Sequence, residues 1–283
     1  MLNRGAFPPP PPGGQPLPPP SNAALLPVVD DAVVSIRGLV KRFGSKMAVD
    51  GLNLDITRGS FFGLVGPNGA GKSTTLSMST GLLKPDAGQI TIAGLDVWAN
   101  PTAVKQRIGV LPEDLRLFER LSGAELLHYL GRIRQLDSDE TAERAAELLA
   151  VLGLTESAGT LVSDYSQGMR KKIGLAAALL HAPEVLFLDE PFESVDPVSA
   201  RTIRTVLSRF TDSGATIVFS SHVMALVEDL CDHVGILHQG QLRAWGTTEQ
   251  VRDGASLEDV FVKLVGAADI GEDSLGWLQP SPD

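Results

Sequence analysis

Short apolar runs bounded by turn residues dominate the chain outside its middle third, and they predict β-strands. Seven such runs, some alternating and some continuously apolar, are present at 33–36, 52–56, 61–65, 89–93, 185–188, 216–220 and 234–237. The run from Val185 to Leu188 is apolar without interruption, which is typical of a strand buried on both faces of a parallel sheet. A Gln239-Gly240 turn followed by residues 241–245 predicts a hairpin after the last run.

Apolar positions in the middle of the chain recur with helical spacing instead. Ser122 and Glu125 have the spacing of a capping box, Asp139 or a neighbour can cap a second helix, and a third helix is predicted to start near Ser166. These helices predict an α-helical insertion at about residues 115–182. The whole pattern indicates an α/β fold with a parallel-sheet core.

Both ends of the chain differ in composition from the part between them. Ten of the 19 prolines fall within residues 1–27, whereas residues 267–283 contain four acidic residues and no basic one. We therefore predict a Pro-rich disordered tail at 1–30, a folded domain at 31–266 and an acidic C-terminal tail at 267–283.

Charge and composition narrow the classes of function. The chain has 283 residues and a formal net charge of −10, which argues against binding of nucleic acid over an extended surface. Its single cysteine, Cys231, excludes a disulfide framework and a multi-cysteine zinc site. No stretch approaches the roughly 18 consecutive apolar residues of a membrane-spanning helix, so we expect any membrane role to need another subunit.

The clearest chemical motif directly follows the predicted strand at 61–65. Residues 66–74 match the pattern G-x-x-x-x-G-K-[ST], which in this context predicts a loop that binds the phosphates of ATP. Its glycines let backbone N–H groups turn toward phosphate oxygens, and the following helix adds the positive end of its dipole. Lys72 is predicted to bind the β- and γ-phosphates and Ser73 to bind Mg²⁺. The predicted nucleotide-binding residues of this phosphate loop are Gly66, Pro67, Asn68, Gly69, Ala70, Gly71, Lys72, Ser73 and Thr74.

Two acidic residues, Asp189 and Glu190, follow the predicted buried strand at 185–188. Open α/β sheets bind their ligands at the carboxyl ends of the strands. A buried pair of carboxylates is costly unless a cation compensates it. Asp189 is therefore predicted to hold Mg²⁺, directly or through water, and Glu190 to act as the general base toward an attacking water.

A third motif, Tyr-Ser-Gln-Gly-Met at residues 165–169, resembles the LSGGQ signature of ATP-binding cassette (ABC) transporters. Together with the two motifs above, it makes the chain similar to the ATP-binding subunits of that family over about residues 33–266. The motifs of this chain that vary from the usual family pattern are similar to those of a bacterial exporter-type subgroup. The resemblance implies the ABC ATPase fold: a P-loop NTPase (RecA-like) parallel-sheet core, an antiparallel β subdomain and an α-helical insertion.

The same resemblance implies how the signature segment works. In the family, its residues grip the γ-phosphate of an ATP molecule that is held by the phosphate loop of the opposite subunit. In the present chain the resemblance implies this role for Ser166, Gln167 and Gly168, which lie at the positive end of a predicted helix. Gln167 departs from the family pattern, which has glycine at that position.

The resemblance implies functional roles for residues at four further positions. His222 resembles the switch histidine that contacts the γ-phosphate, and Asp196 resembles the aspartate of a loop that crosses the dimer interface. Phe43 resembles the aromatic residue that stacks on adenine, although a core aromatic residue is an almost equally good interpretation. Glu113 stands where many relatives have a glutamine that touches Mg²⁺ and the attacking water. A carboxylate keeps both capacities, so Glu113 is predicted to contribute to catalysis and to the metal site.

The resemblance implies an ATPase subunit of an ABC transporter. A chain with one phosphate loop and one signature segment needs a second copy of itself or a homologous cassette to form a head-to-tail dimer. It also needs an integral-membrane permease, which it powers from the cytoplasmic face of the cell membrane as a peripheral subunit, with export as the expected direction. ATP and Mg²⁺ are the expected cofactors, and no nucleic acid is expected as a partner.

Two alternative functions remain open at this stage. One is a soluble ABC ATPase that acts in nucleic-acid or translation processes, but those relatives usually carry coiled-coil insertions, tandem cassettes or zinc modules. The other is a nucleotide-gated regulator with little turnover, which the presence of Glu190 argues against.

Overall fold

The computed structural model of the chain describes residues 31–266, so the tails predicted at 1–30 and 267–283 lie outside the described residues. Within that range the strands form two sheets. The strands are β1 (Ala32–Phe43), β2 (Lys46–Thr57), β3 (Phe61–Val65), β4 (Ala87–Ile92), β5 (Leu95–Asp96), β6 (Ile108–Leu111), β7 (Val185–Asp189), β8 (Thr216–Ser221), β9 (His233–His238) and β10 (Gln241–Thr247). The helices are α1 (Lys72–Ser79), α2 (Pro101–Arg107), α3 (Gly123–Ile133), α4 (Ser138–Val151), α5 (Gln167–Leu179), α6 (Pro197–Asp212), α7 (Met224–Leu230), α8 (Thr248–Arg252) and α9 (Leu257–Val265).

The larger sheet has the strand order β10-β9-β3-β8-β7-β6. Five of its strands are parallel, and β10 joins antiparallel to β9 as the predicted hairpin. Strands β3, β7 and β8 are buried along their whole length, which explains their continuous apolar sequence. The smaller sheet, of order β2-β1-β4-β5, is antiparallel. The predicted α/β fold with a parallel core and an antiparallel subdomain is therefore confirmed.

Each of the seven predicted runs is a strand or part of one, although the fourth run extends one residue past β4. The predicted helices of the middle segment are also present. The Ser122–Glu125 capping box starts α3, and the Ser166 hydroxyl accepts a hydrogen bond from Met169 N at the start of α5. Helix α4 is capped by Asp137, a neighbour of the predicted Asp139.

Two apolar cores flank the larger sheet. One core lies between the two sheets and includes Ile36 and Phe187, and the other packs the helical segment against the opposite face and includes Leu127 and Phe219. None of the helices within residues 31–266 has both the length and the apolar character that a membrane crossing requires.

The register of the larger sheet brings distant motifs to one edge. Val65, the last residue of β3, pairs with Ser221 at the end of β8, and Asp189 at the end of β7 pairs with Ser220. The segments that follow these three strands therefore begin side by side at the carboxyl edge of the sheet.

Candidate active site

A cavity of about 330 Å³ lies at this carboxyl edge. It is bounded by β1 and β2 of the antiparallel sheet on one side and by the ends of the parallel strands on the other. The lining residues are Phe43, Lys46, Ala48, Asn68, Gly69, Gly71, Lys72, Ser73, Thr74, Glu113, Glu190, Glu193 and His222.

Two glycines shape the phosphate loop because backbone from other segments approaches them closely. A Cβ atom on Gly66 would lie 2.2 Å from the carbonyl oxygen of Leu237, and one on Gly71 would lie 2.3 Å from the carbonyl oxygen of Ala48. Gly71 also has φ = 108°, a conformation that favours glycine. The loop is therefore wedged between β9 and β2, and no side chain fits at these two positions.

A backbone bridge holds the loop from the side of the β9–β10 turn. Gly240 N donates to Ala70 O at 2.9 Å, and Asp50 N donates to Gly240 O at 2.9 Å. The turn between β9 and β10 thus connects the phosphate loop to β2. These contacts give the loop its shape through interactions with residues far away in the chain.

Lys72 is the first residue of α1 and is buried at the base of the cavity. Its Nζ donates to Gly66 O at 2.8 Å and lies 3.6 Å from Glu190 Oε1. The ammonium group therefore connects the phosphate loop to the acid at the end of β7. Its charge and the N-terminus of α1 both favour an anion in the cavity.

Two carboxylate groups lie close to the Ser73 hydroxyl. Ser73 Oγ donates to Asp189 Oδ1 at 3.1 Å and lies 3.5 Å from Glu113 Oε2. Asp189 also accepts a hydrogen bond from the Ser220 hydroxyl, which holds its carboxylate in place. The three residues that were predicted for the metal site, Ser73, Asp189 and Glu113, are therefore neighbours in the structure.

Glu190 occupies an unusual backbone conformation, with φ = 46°. A residue other than glycine in this left-handed region costs about 1–3 kcal/mol, and such outliers cluster at functional sites. Its N–H donates to Ser220 Oγ at 3.2 Å, and its Oε1 lies 3.1 Å from His222 Nδ1. The structure therefore brings Glu190 and His222, predicted from separate segments, into direct contact.

Four other predicted residues form a separate surface, which we call the signature face: Ser166, Gln167, Gly168 and Asp196. These four residues are not among those that line the cavity. The Asp196 carboxylate caps α6 by accepting from Ser199 N and Val198 N, and these hydrogen bonds hold its pKa below the usual value, with the bond from Ser199 as the largest cause. Gly168 packs against the start of α6, since a Cβ there would lie 2.8 Å from Asp196 Oδ2.

Phe43 lies at the open side of the cavity with half of its surface exposed. Lys41 Nζ lies 5.7 Å from the centre of its ring. An exposed aromatic face beside a phosphate-binding loop is suited to stacking on a base. The alternative interpretation of Phe43 as a core residue is wrong, because it is 50% exposed.

Several residues near the site were missed by the sequence analysis. Lys46 and Glu193 line the cavity, Ser220 connects Asp189 to Glu190, and Lys171 of α5 donates to Glu190 O at 3.2 Å. Ser220 ends the apolar run at 216–220, and its position beside Asp189 follows from the pairing of β7 with β8. No local motif marks Lys171, because its contact depends on how α5 packs against the end of β7.

A phosphate loop between a buried strand and a helix, with an acidic pair on a neighbouring strand, defines a P-loop nucleotide-binding protein. Residues 49–193 match the family model described as ABC transporter. The chain is 40% identical over 215 residues to the linearmycin resistance ATP-binding protein LnrL of Bacillus subtilis (strain 168). The aligned residues cover 76% of this chain and 69% of LnrL. The chain is 36% identical over 231 residues to the daunorubicin/doxorubicin resistance ATP-binding protein DrrA of Streptomyces peucetius, with coverages of 82% and 70%.

The structure is also similar to a solved structure described as the ATP-binding subunit of an ABC transporter. The TM-score is 0.77 at 29% identity, over 82% of this chain and 99% of that chain. The chain belongs to the ABC transporter family and is one of its ATP-binding, ATP-hydrolysing subunits. Subunits of this kind dimerise, work with membrane permeases and associate with the membrane peripherally.

Proposed function

We propose that this chain hydrolyses ATP with Mg²⁺ and thereby powers export through a separate permease. Lys72, Ser73, Glu190 and His222 line one cavity, and Asp189 accepts a hydrogen bond from Ser73 there. This convergence, with the contacts of Glu190 to Lys72 and His222, supports the proposal most strongly. These residues come from three segments, and each supplies a different part of phosphoryl-transfer chemistry.

Binding of ATP is assigned to the phosphate loop and Phe43. The backbone N–H groups of the loop and Lys72 bind the phosphates, whereas the Phe43 ring stacks on adenine. Lys72 exchanges its contacts with Gly66 O and Glu190 Oε1 for phosphate oxygens when ATP enters. The assigned loop residues are Gly66, Pro67, Asn68, Gly69, Ala70, Gly71, Lys72, Ser73 and Thr74.

The oxygen ligands beside the phosphate loop fit Mg²⁺. Hydroxyl and carboxylate oxygens are its preferred ligands, and Ser73 Oγ lies 3.1 Å from Asp189 Oδ1 and 3.5 Å from Glu113 Oε2. Within residues 31–266, no cluster of three or more His, Cys, Asp or Glu side chains has metal-binding geometry. Mg²⁺ is commonly bound by one or two carboxylates together with substrate phosphates, and Asp189 and Glu113 are the carboxylates beside Ser73. When bound, Mg²⁺ neutralises charge on the β- and γ-phosphates.

Hydrolysis is assigned to Glu190 as the general base. The oxygen of a water molecule bonds to the γ-phosphorus while the bond from that phosphorus to the bridging oxygen breaks. ADP leaves with the electron pair, and the water proton passes to the Glu190 carboxylate. His222, in contact with Glu190 Oε1, orients that carboxylate and contacts the γ-phosphate, whereas Glu113 helps to orient the water.

The signature face is assigned to the second ATP site of a head-to-tail dimer with another copy or with a homologous cassette. The start of α5, with Ser166, Gln167 and Gly168, offers backbone N–H groups and a positive dipole end to the γ-phosphate. Asp196 at the start of α6 lies beside it and crosses the same interface. Their separation from the cavity of their own chain supports a role toward a neighbouring chain.

Export is supported by the resistance proteins to which the chain is similar, whose names refer to linearmycin, daunorubicin and doxorubicin. We place the chain at the cytoplasmic face of the cell membrane, bound to an integral-membrane permease. The net charge of −10 argues against nucleic acid as its partner.

Substitution of Glu190 by Gln tests the proposal. Because the amide cannot accept the water proton, we expect ATP turnover to fall by about a hundredfold or more, with ATP affinity retained. Glu249→Gln on the exposed surface of α8 is the matched control and retains turnover. Weak turnover that Glu190→Gln does not change would favour the nucleotide-gated regulator.

A second experiment distinguishes a transporter subunit from a soluble ABC ATPase. The tagged full-length chain is purified from its own cells in detergent, and the bound proteins are identified by mass spectrometry. We expect an integral-membrane permease. Ribosomes or DNA in place of a permease would overturn the transporter assignment.

A further inference from the structure

One cation links the signature helix to the acid at the end of β7. Lys171 lies in the second turn of α5, whose start carries the signature face, and its Nζ donates to the main-chain oxygen of Glu190 at 3.2 Å. The contact joins residues 19 positions apart in sequence and is partly buried. It therefore connects, within one chain, the surface assigned to a neighbour's ATP and the proposed general base.

The surroundings of Lys171 fit a charged ammonium group aimed at the site. Burial lowers its pKa, and attraction to the carboxylates that face it opposes this shift. Those carboxylates are Glu193, Asp189, Glu113 and Glu190, in decreasing order of their effect. A neutral side chain at this position would remove positive charge from this acidic group, in which Lys72 Nζ, 3.6 Å from Glu190 Oε1, is another cation.

Hydrogen bonds hold the strained Glu190 residue from both sides. Its N–H is held by Ser220 Oγ at 3.2 Å, and its carbonyl oxygen accepts from Lys171 Nζ and from Glu193 N, each at 3.2 Å. The left-handed conformation of Glu190, with φ = 46°, persists only while such contacts fix it. Among these contacts, the one from Lys171 comes from the helical insertion.

We propose that Lys171 is a positioning residue that aligns the Glu190 carboxylate and makes hydrolysis in one cavity depend on the nucleotide bound to the signature face of the same chain. The inference rests on the proposed head-to-tail dimer. A helix moves as a rigid body, so a shift of its first turn on binding the neighbour's ATP moves Lys171 and the Glu190 carbonyl with it. ATP bound at one site then promotes hydrolysis at the other.

Three variants of the full chain, assembled with its permease, test the proposal. Lys171→Met removes the donor and the charge but keeps the length of the side chain, whereas Lys171→Arg keeps both donor and charge. Arg170→Met is the matched control, because Arg170 is a cation of the same helical turn whose partners are Val162 O and Glu119. For each variant we would measure ATP affinity, kcat, KM and the Hill coefficient for ATP.

We expect Lys171→Met to lower kcat by about tenfold, as for loss of a hydrogen bond from a charged group, and to reduce the Hill coefficient toward 1. ATP affinity and KM should remain near the wild-type values, since the phosphate loop is intact. Lys171→Arg should restore most of the rate, and Arg170→Met should retain both rate and cooperativity. Amide hydrogen exchange at Glu190 and Glu193 should become faster in Lys171→Met alone.

Each contrary result has a distinct meaning. Wild-type turnover and cooperativity in Lys171→Met would overturn the role of Lys171 while leaving the ATPase assignment intact. An equal loss in Arg170→Met, with faster exchange throughout α5, would show that the effect is only structural and would also overturn it. A wild-type complex that binds no ATP would overturn the proposed function and this inference together.

Discussion

The chain contains two polar surfaces that differ in how their side chains are used. On the first, which we call the phosphate face (Lys72, Ser73, Asp189, Glu190 and His222), the side chains contact one another across three segments, and all of them except Asp189 line one cavity. On the signature face, the polar side chains of Ser166 and Asp196 are engaged at the starts of their own helices. One face is a nearly complete reaction centre, and the other is a rigid surface that presents helix N-termini outward.

This difference has a consequence for how substitutions behave. A change of a phosphate-face residue that binds the nucleotide, such as Lys72, should alter binding of ATP by a single chain, because its contacts lie within that chain. A change on the signature face should leave single-chain binding intact and reduce turnover only in the assembled complex. The following predictions use ATP binding by the single chain, turnover of the assembled complex, or both.

The largest effect is expected from Lys72→Met on the phosphate face. Loss of a buried cation that faces the phosphates should weaken ATP binding to the single chain by about a hundredfold or more, measured by equilibrium binding. Lys84→Met at an exposed position is the control and should bind ATP like the wild type. Unchanged affinity in Lys72→Met would place the phosphates elsewhere.

A large effect on turnover of the complex, rather than on ATP binding by the single chain, is expected from Gly168→Asp. A Cβ here would lie 2.8 Å from Asp196 Oδ2 and 2.9 Å from Ser199 Oγ, and the added carboxylate repels Asp196. We expect turnover of the assembled complex to fall by roughly thirtyfold, with ATP affinity of the single chain unchanged.

The control for that change is Gly159→Asp, which adds the same charge to the helical segment where a Cβ would have no heavy atom within 4 Å. Melting temperatures of both variants show that they remain folded. If Gly168→Asp weakens ATP binding in the single chain, the two faces are not independent, and the comparison fails.

A moderate effect is expected from Ser166→Ala. Loss of the helix cap should lower the free energy of unfolding by about 1 kcal/mol, measured by urea denaturation. Turnover of the complex should also fall severalfold, which a loss of stability of this size does not explain. The additional fall is expected because the start of α5 also contacts ATP in the proposed dimer.

Ser256→Ala provides the matched comparison, because the Ser256 hydroxyl accepts from Asp259 N at the start of α9 as the Ser166 hydroxyl accepts from Met169 N at the start of α5. It should lower the free energy of unfolding by a similar amount of about 1 kcal/mol and leave turnover unchanged. Equal turnover in the Ser166→Ala and Ser256→Ala variants would show that Ser166 acts only as a helix cap.

The smallest effect is expected from Phe43→Ala. Loss of stacking from a half-exposed ring should weaken binding of ATP to the single chain by about fivefold, and Phe43→Tyr should restore it. The same substitution should weaken GTP binding less, if stacking on adenine is the main contact. An unchanged affinity for ATP would show that the exposed ring serves another purpose.

Local sequence patterns were enough to predict most of the fold. Strands such as β3 and β7 carry a continuous apolar signal because both faces are buried, and the capping box at Ser122 marks the start of α3 directly. Strand β6 was missed because it has only four residues and contains Gly109. That glycine is required by tertiary packing, since a Cβ would lie 2.3 Å from Ala178 O, and no local pattern reveals this.

The candidate site was predictable only as far as its motifs are local. The phosphate loop and the Asp189-Glu190 pair follow buried strands, so their positions at the carboxyl edge follow from the strand pattern. The contacts of Ser220 and Lys171 depend on strand order and on the packing of α5, which residue spacing does not encode.

The backbone bridge through Gly240 has a consequence for how the chain acquires its activity during synthesis. The phosphate loop ends at residue 74, yet one of its carbonyl groups finds its partner only after residue 240 has been made. A ribosome releases the N-terminal part of a chain first, so the nascent loop waits without that partner through most of translation. Fragments truncated before Gly240 should therefore fail to retain ATP even though they contain every residue of the loop.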